Sequence, residues 1–336
     1  MNESEITILA EKGHFKGSRL NGTVEETHIS WIILTKHFAF KIKKPVKLSF
    51  LDFSTLAKRK FYCEREVQLN LRLSRIYLDV VPVYNYRNSW NIGRGRGEVK
   101  DYAVRMRRLK SDKKMDAMLR HQQVKTEDIL SLAKTVTAFH KNSPIITVPF
   151  EISEARALFN DVLSIRNFIR AQMGQAYSTL ITQAVRWSND FLQAHAPDFQ
   201  GRISEGFKRD VHGDLHSGNI FLYKKPIIFD CIEFNDSYRQ IDVIDEIAFF
   251  CMDLEANRTK YFSKMFLKEY VSHFSCFQTK SDERLFLYFK CYRANVRAKV
   301  NAISAQQSGD EHEIRKYLRI VKTFLQLMSS YISKKN

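Results

Sequence analysis

Early in the chain hydrophobic and polar positions mark out three short strand-like runs, at 24–27, 31–34 and 38–43, divided by polar or turn-forming residues. Runs of this length, rich in Val, Ile, Phe, Trp and Thr and bounded by breakers, predict β-strands. Ser54 stands in an N-cap position, and the pattern after it predicts a helix over 55–73. Residues 80–86 predict an extended segment. Two more strand-like runs, 90–92 and 99–106, flank Gly93-Arg-Gly-Arg-Gly97, which reads as the turn of a hairpin joining them.

From Asp112 the apolar period lengthens to that of helices, predicted over 126–140, 152–172 and 177–194, with 141–149 as a connecting loop. A short hairpin follows at 220–223 and 227–229, turning at Lys224-Lys225-Pro226. After Arg239 the pattern is helical almost to the end, and no internal repeat interrupts it. The expectation is an α+β chain with a small β-rich N-lobe over 1–108, a linking strand, and a large helical C-lobe over 109–336.

Composition narrows this picture. A chain of 336 residues with 44% hydrophobic content is enough for one large domain or two lobes with a well-packed core. Lys and Arg number 54 against 37 Asp and Glu, so the net charge of +17 favours anionic ligands: nucleotides, nucleic acid or acidic surfaces. Five cysteines, an odd count without a CxxC pair, read as reduced and mostly buried thiols. The first twelve residues lack a signal-peptide pattern, and no apolar run suits a spanning helix. A soluble, cytoplasmic protein is expected.

The chemistry concentrates in Val211-His-Gly-Asp-Leu-His-Ser-Gly-Asn219 and in Ile227-Ile-Phe-Asp230. Phosphoryl transfer needs an acceptor hydroxyl held in line and divalent metal to neutralise the phosphates. Kinases meet this with H-x-D-x-x-x-x-N, the Asp taking the hydroxyl proton and the Asn ligating metal, and with a second metal-binding Asp beyond a hairpin. His212, Asp214 and Asn219 fit that spacing, and Asp230 follows an apolar β-run. Asp214 is therefore the expected catalytic base, and Asn219 and Asp230 the expected metal ligands. A competing reading takes His212, Asp214 and His216 as a metal-hydrolase cluster. On the third strand Lys41 is the expected phosphate lysine, ahead of Lys43, which shares its face, and Lys44, which points away. Glu64 and Glu66 both qualify as its helix partner; Glu66 lies nearer the apolar side.

Together these residues resemble the aminoglycoside phosphotransferase-like kinases, a family with a protein-kinase-like two-lobed fold. The likeness extends to an uncharacterised bacterial branch often fused to a P-loop ATPase domain. It runs through Glu26-Thr-His-Ile-Ser-Trp31, Phe40-Lys-Ile-Lys-Lys-Pro-Val46, Phe50-Leu-Asp-Phe-Ser-Thr55, Tyr62-Cys-Glu64, Tyr102-Ala-Val-Arg-Met-Arg-Arg108, Ile232-Glu-Phe-Asn-Asp236 and Tyr292-Arg-Ala-Asn-Val-Arg-Ala-Lys299. The resemblance implies ATP and magnesium (Mg2+) as cofactors and supports Lys41, Asp214, Asn219 and Asp230 in the roles given above. It puts the adenine edge at Met106, Arg107, Arg108 and Leu109. It has residues 27–30, with Ser30 among them, cover the phosphates where other kinases carry a glycine-rich loop.

Two departures stand out. The sequence holds no G-x-x-x-x-G-K-[ST], so the fused ATPase domain is expected to be absent, and a separate P-loop ATPase chain becomes a candidate partner. Where the family carries Asp-Leu-Ala after the metal Asp, this chain has Asp245-Glu246-Ile247-Ala248, with Glu246 at the structural Asp position and Asp245 as a neighbouring substitute. The expected activity is transfer of the γ-phosphate of ATP to a hydroxyl of a small molecule or protein. The alternatives are a nucleotide-binding regulatory module with little turnover, and a basic nucleic-acid-associated protein, for which 58–62 and 105–108 offer basic and aromatic fragments. Nucleic acid is the less favoured partner. The net charge argues against polycationic aminoglycosides as acceptors, although acidic residues gather over 230–255. Arg239, Arg293, Arg297 and Lys299 are the cations that line the helical lobe if its last helices fold back.

Overall fold

The structure, a computed structural model, describes residues 1–48 and 51–333. The chain divides into two compact units, each built from two stretches: Met1–Met118 with Gly218–Arg239, and Leu119–Ser217 with Gln240–Asn336. The first begins α1 (Glu3–Lys12), β1 (His14–Phe15), β2 (Ser18–Arg19), β3 (Thr23–Glu26), β4 (Ser30–Leu34), β5 (Phe38–Lys43), β6 (Lys47–Leu48) and β7 (Leu51–Asp52). It continues through α2 (Leu56–Asn70), β8 (Tyr77–Tyr86), β9 (Ser89–Ile92) and β10 (Glu98–Arg107). Phe50, which opens one of the kinase-like segments, lies outside the described residues.

Eight strands form one sheet in the order β2-β1-β9-β8-β10-β5-β4-β3, antiparallel except for the β1–β9 pair. Strand period decides what each face buries. Phe40 and Ile42 of β5 join Trp31, Ile33 and Val83 against Ile6, Leu9 and Ala10 of α1. Ala39 turns the other way, with Val104 and Met106, against Cys63 of α2. A sheet covered on both faces explains why β5 is buried from Ala39 to Lys43 with no alternation between an inner and a solvent face.

The structure corrects three expectations here. The glycine run 93–97 is not a hairpin turn, because β9 and β10 do not pair; β8 lies between them and pairs with both. The hairpin is β8–β9, closed by Arg87 (φ 47°) and Asn88 (φ 64°), two left-handed residues of the kind a tight two-residue turn requires. The N-cap of α2 is Thr55, whose hydroxyl accepts from the Lys58 N–H, rather than Ser54, and the helix ends at Asn70. Helix α1 was not expected at all. It is fixed by a capping box between Asn2 and Glu5 and buries only Ile6, Leu9 and Ala10.

Beyond β10 the elements are α3 (Met115–Arg120), α4 (Thr126–Asn142), α5 (Ile152–Asn160), α6 (Arg166–Met173), α7 (Gln175–Ser204), β11 (Lys208–Asp210), β12 (Ile220–Phe221), β13 (Ile227–Ile228) and β14 (Gln240–Asp242). Four helices end the chain: α8 (Val243–Ala256), α9 (Lys260–His273), α10 (Lys280–Gln307) and α11 (Glu311–Ile332). The single helix expected over 152–172 is broken by a 3-10 turn at Asp161–Ile165. Helix α7 runs past the expected end, through Pro197. Phe199, Arg202 and Ile203 beyond the proline are buried, and that packing offsets the roughly 3 kcal/mol an interior proline costs. In the second unit α8 is buried on all sides from Val243 to Leu254 and packs on α10 and α9. Among the described residues no helix is long and apolar enough to cross a membrane. All five cysteines are free and buried, and burial pushes Cys63, Cys251 and Cys276 up to about 12, which leaves them as inert thiols.

Candidate active site

In the first unit, β5 presents Lys41 and Lys43 on one face, and both ammonium groups converge on one carboxylate. Lys41 Nζ donates to Glu66 Oε1 at 2.8 Å and Lys43 Nζ to Glu66 Oε2 at 2.7 Å. Each reaches a second acid: Lys41 reaches Asp230 Oδ1 at 2.6 Å, and Lys43 reaches Glu233. Glu66 and Lys43 are wholly buried. Glu64 is exposed and pairs instead with Lys60 at 3.7 Å. Sequence reasoning missed Glu233 and the burial of Lys43; the one available signal was Glu233's place in the matching segment 232–236.

Burial alone would raise the Glu66 carboxyl, but the Lys41 and Lys43 charges outweigh it and hold the group at about 2. Burial likewise opposes charge on both lysines, and the facing carboxylates hold them above the usual ammonium range. Glu233 moves the other way: burial raises it despite the pull of Lys43. Because the folded Glu66 binds its proton more weakly than the ordinary 4.5, it contributes stability fully above that pH and loses it as pH falls toward about 2. The unfolding free energy of Glu66→Gln is therefore expected to fall less steeply than wild type between those values. Parallel slopes in an acid titration of denaturant unfolding would contradict this.

Asp230 follows β13 with φ 65°, a left-handed conformation that costs a non-glycine residue energy and marks a constrained position. The bend is held from several sides. The Asp230 N–H donates to Tyr77 Oη at 3.0 Å, and the Cys231 N–H donates to Asn70 Oδ1 at 2.9 Å. Asn70 in turn donates to the Glu66 carbonyl at 2.9 Å. Asn219 enters β12, and its carbonyl accepts from the Phe229 N–H at 3.1 Å, so the β12–β13 hairpin carries Asn219 and Asp230 at its open end. Both supply oxygen donors, which suits magnesium, and the Asp230 side chain remains 41% exposed beyond its contact with Lys41.

Met106 and Arg107 end β10. Met106 is buried with Ala39, Ile76 and Tyr77, and Leu109, Ile227 and Phe229 pack on the same cluster. Arg107 and Arg108 have exposed side chains, and their N–H groups donate to the carbonyls of Ile76 and His37. Ser30 opens β4 after the β3–β4 turn. It is fully buried and its hydroxyl finds no partner.

The second unit holds His212, Asp214 and His216. Gly213 has φ 87°, which a side chain would strain, and this turn points its own N–H and that of His212 to one side. Glu246 of α8 receives them: the Gly213 N–H donates to Oε1 at 2.5 Å and the His212 N–H to Oε2 at 3.3 Å. His140 Nε2 lies 2.7 Å from the same Oε2, and its Nδ1 lies 2.7 Å from Tyr270 Oη. Asp245 binds Arg293 in a fork at 2.7 and 2.8 Å, and Arg293 donates to the Gly213 carbonyl at 3.3 Å. Asp253 accepts from the Ser217 N–H at 2.9 Å. The acidic start of α8 thus satisfies the loop backbone, with Glu246 and Asp245 each anchoring it.

His212 is buried and its Nδ1 accepts from the Asp214 N–H at 3.1 Å, an arrangement that serves the loop rather than a metal. No group of three His, Cys, Asp or Glu among the described residues is placed to hold an ion, so the hydrolase cluster does not assemble. His216 Nε2 lies 3.4 Å from Asp214 Oδ2 and 3.4 Å from an Arg297 guanidinium nitrogen. Burial would raise the Asp214 carboxyl, but His216, Arg297 and His212 together hold it well below the usual carboxylate range.

No family model matches the chain. It is 30% identical over 293 residues to uncharacterized proteins of Mycobacterium tuberculosis and Mycobacterium bovis, covering 86% of itself and 56% of each relative. The chain therefore spans about half the length of the curated relatives it matches. Among solved structures it resembles a choline/ethanolamine kinase family protein of Mesorhizobium loti, with TM-score 0.55 and 10% identity over 99% of this chain and 94% of that one. A choline kinase of Cryptosporidium parvum gives 0.55 and 12% over 98% of both chains. An aminoglycoside phosphotransferase solved with GDP and kanamycin gives 0.52 and 12% over 100% of both. With its curled eight-stranded sheet and large helical part, the chain has the protein-kinase-like fold of the aminoglycoside phosphotransferase-like kinases, the family its loop motif resembles.

Proposed function

We propose that the chain is an ATP- and magnesium-dependent phosphotransferase that moves a γ-phosphoryl group to a hydroxyl on a small molecule or protein. The single observation that carries this reading is the Lys41 ammonium held between Glu66 and Asp230 at 2.8 and 2.6 Å. A lysine fixed by a helix glutamate beside a metal-binding aspartate is the arrangement that nucleotide phosphates need. The fold supports it, since the solved structures it resembles include one named as a choline/ethanolamine kinase family protein, one named as a choline kinase and a third solved with GDP and kanamycin.

In this reading Lys41 binds the nucleotide phosphates, and the apolar patch of Ala39, Met106 and Leu109 takes the base. Asn219 and Asp230 would hold magnesium, which when bound neutralises phosphate charge. Asp214 orients the acceptor hydroxyl and takes its proton as the new P–O bond forms and the bond to the β-phosphate oxygen breaks, leaving the diphosphate. Its depressed pKa keeps it ionised, and so able to accept, at neutral pH.

The test is consumption of ATP, with GTP in parallel, by the purified chain over pooled hydroxyl compounds, followed by mass spectrometry of the product. Failure to bind either nucleotide in the presence of magnesium would overturn the reading. Asp230→Ala is expected to lose magnesium-dependent nucleotide binding, because the site loses one of the two side chains that would hold the ion. Calorimetric titration of MgATP into both proteins checks this; equal affinities would exclude Asp230 as a ligand.

A further inference from the structure

Four cations from the resembling segments and the turn before α8 were expected near the helical lobe, and three have carboxylate partners. Arg239 bonds Asp236 at 2.9 Å and the Ile232 carbonyl, Arg293 is forked onto Asp245, and Lys299 pairs with Asp161. Arg297 differs. It lies one helical turn after Arg293 on α10, on the same face, and has no ion-pair partner among the described residues. Its Nε is buried without a hydrogen-bond partner, and its guanidinium sits over the Phe324 ring at 5.7 Å.

Among the described residues its guanidinium makes one side-chain hydrogen-bond contact, with His216 Nε2, 3.4 Å away, which is also 3.4 Å from Asp214 Oδ2. That nitrogen can serve one of the two. Carrying a hydrogen, it donates to Asp214 and offers Arg297 nothing; lacking one, it accepts from Arg297 and gives Asp214 no hydrogen bond. The Asp214 carboxylate compensates part of its charge, but a partly buried guanidinium that shares half an acceptor still has donors left without a hydrogen bond, which is costly. A flat fork of donors backed by an aromatic ring fits a carboxylate or phosphate, which it can bind through two parallel hydrogen bonds.

Resting on the phosphotransferase reading, we propose that Arg297 is the recognition site for an anionic group on the acceptor, so that the substrate is a small hydroxyl compound bearing a carboxylate or phosphate. His216 then links the two ends of that substrate, between the anion-binding Arg297 and the hydroxyl-binding Asp214. The net charge of +17 draws such a compound in and turns polycations away at long range.

The experiment uses the full chain saturated with a non-hydrolysable ATP analogue and magnesium, which fills the nucleotide site. D-Glycerate and glycerol 3-phosphate are titrated in separately, with glycerol and choline as the neutral and cationic comparisons, and binding is followed by calorimetry. At least one anion is expected to bind wild type, and Arg297→Gln is expected to weaken it by about tenfold or more. Arg297→Lys, which keeps the charge but loses the fork, should fall between the two. Glycerol and choline should not distinguish the three proteins. If neither anion binds wild type more tightly than Arg297→Gln, or if choline binds as tightly as the anions, the proposal is overturned. Melting temperatures check folding, and where the glutamine variant melts far below wild type the lysine variant carries the comparison. Failure of wild type to take up the nucleotide analogue removes the kinase reading instead, a separate outcome of the same titration series.

Discussion

Replacing Asp214 with asparagine is expected to lower phosphotransfer by about 100- to 10,000-fold, the usual worth of a positioned proton acceptor, while nucleotide binding stays close to wild type. The substitution is nearly isosteric, and the loop backbone is held by groups that the change does not touch. Gly213 and His212 hang on Glu246, Ser217 on Asp253, and the Gly213 carbonyl on Arg293. The Asp214 N–H bonds His212 through main chain, so it survives too. What is lost is the negative charge that neighbouring His216 and Arg297 favour. Steady-state kinetics on the acceptor found by the screen, with calorimetry of MgATP, separates the two effects. A wild-type turnover number in Asp214→Asn would remove Asp214 from the mechanism. Equal loss of nucleotide affinity would show that the loop had been disturbed rather than the base removed.

Much of this arrangement could be read from the sequence where the constraint was local. Lys41 followed from its place on the third strand-like run, and Glu66 was preferred over Glu64 from helix period; the structure brings Glu66 to Lys41 and leaves Glu64 at the surface. The H-x-D-x-x-x-x-N spacing and the β12–β13 hairpin were visible for the same reason. Long-range constraints were not. Lys43 read as one of several basic residues on a strand, because a charge is solvated by default. Its burial depends on Glu233, 190 residues away, which no local pattern connects to it. The glycine run 93–97 gave a strong turn signal, but the hairpin belongs to Arg87-Asn88, a pair without the usual glycine. Asp245 and Glu246 stood side by side in the sequence, and only the fold shows that Glu246 takes the loop N–H groups while Asp245 takes Arg293.

The same contrast sets the expected stability of two neighbouring variants. From the sequence, Lys43→Met should matter less than Lys41→Met. For catalysis that order stands as an expectation, since Lys41 alone reaches Asp230. For stability the order is expected to reverse. Lys43 is wholly enclosed between Glu66 and Glu233, which are themselves buried, and lies over the Phe53 ring at 4.8 Å. Removing its charge leaves Glu233 buried without its cation, and breaking a buried pair from one side costs about 3–5 kcal/mol. Lys41→Met costs less, because Glu66 keeps Lys43 and the Asp230 carboxylate is 41% exposed and can turn to water. Pairing the change with Glu233→Leu should return most of the lost stability, since replacing both partners of a buried pair with apolar groups is often close to neutral. Urea unfolding of the four proteins gives the comparison. A cost below about 1 kcal/mol for Lys43→Met, the scale of an exposed pair, would mean that Lys43 is solvated and that the Glu66–Lys43–Glu233 chain does not hold in solution.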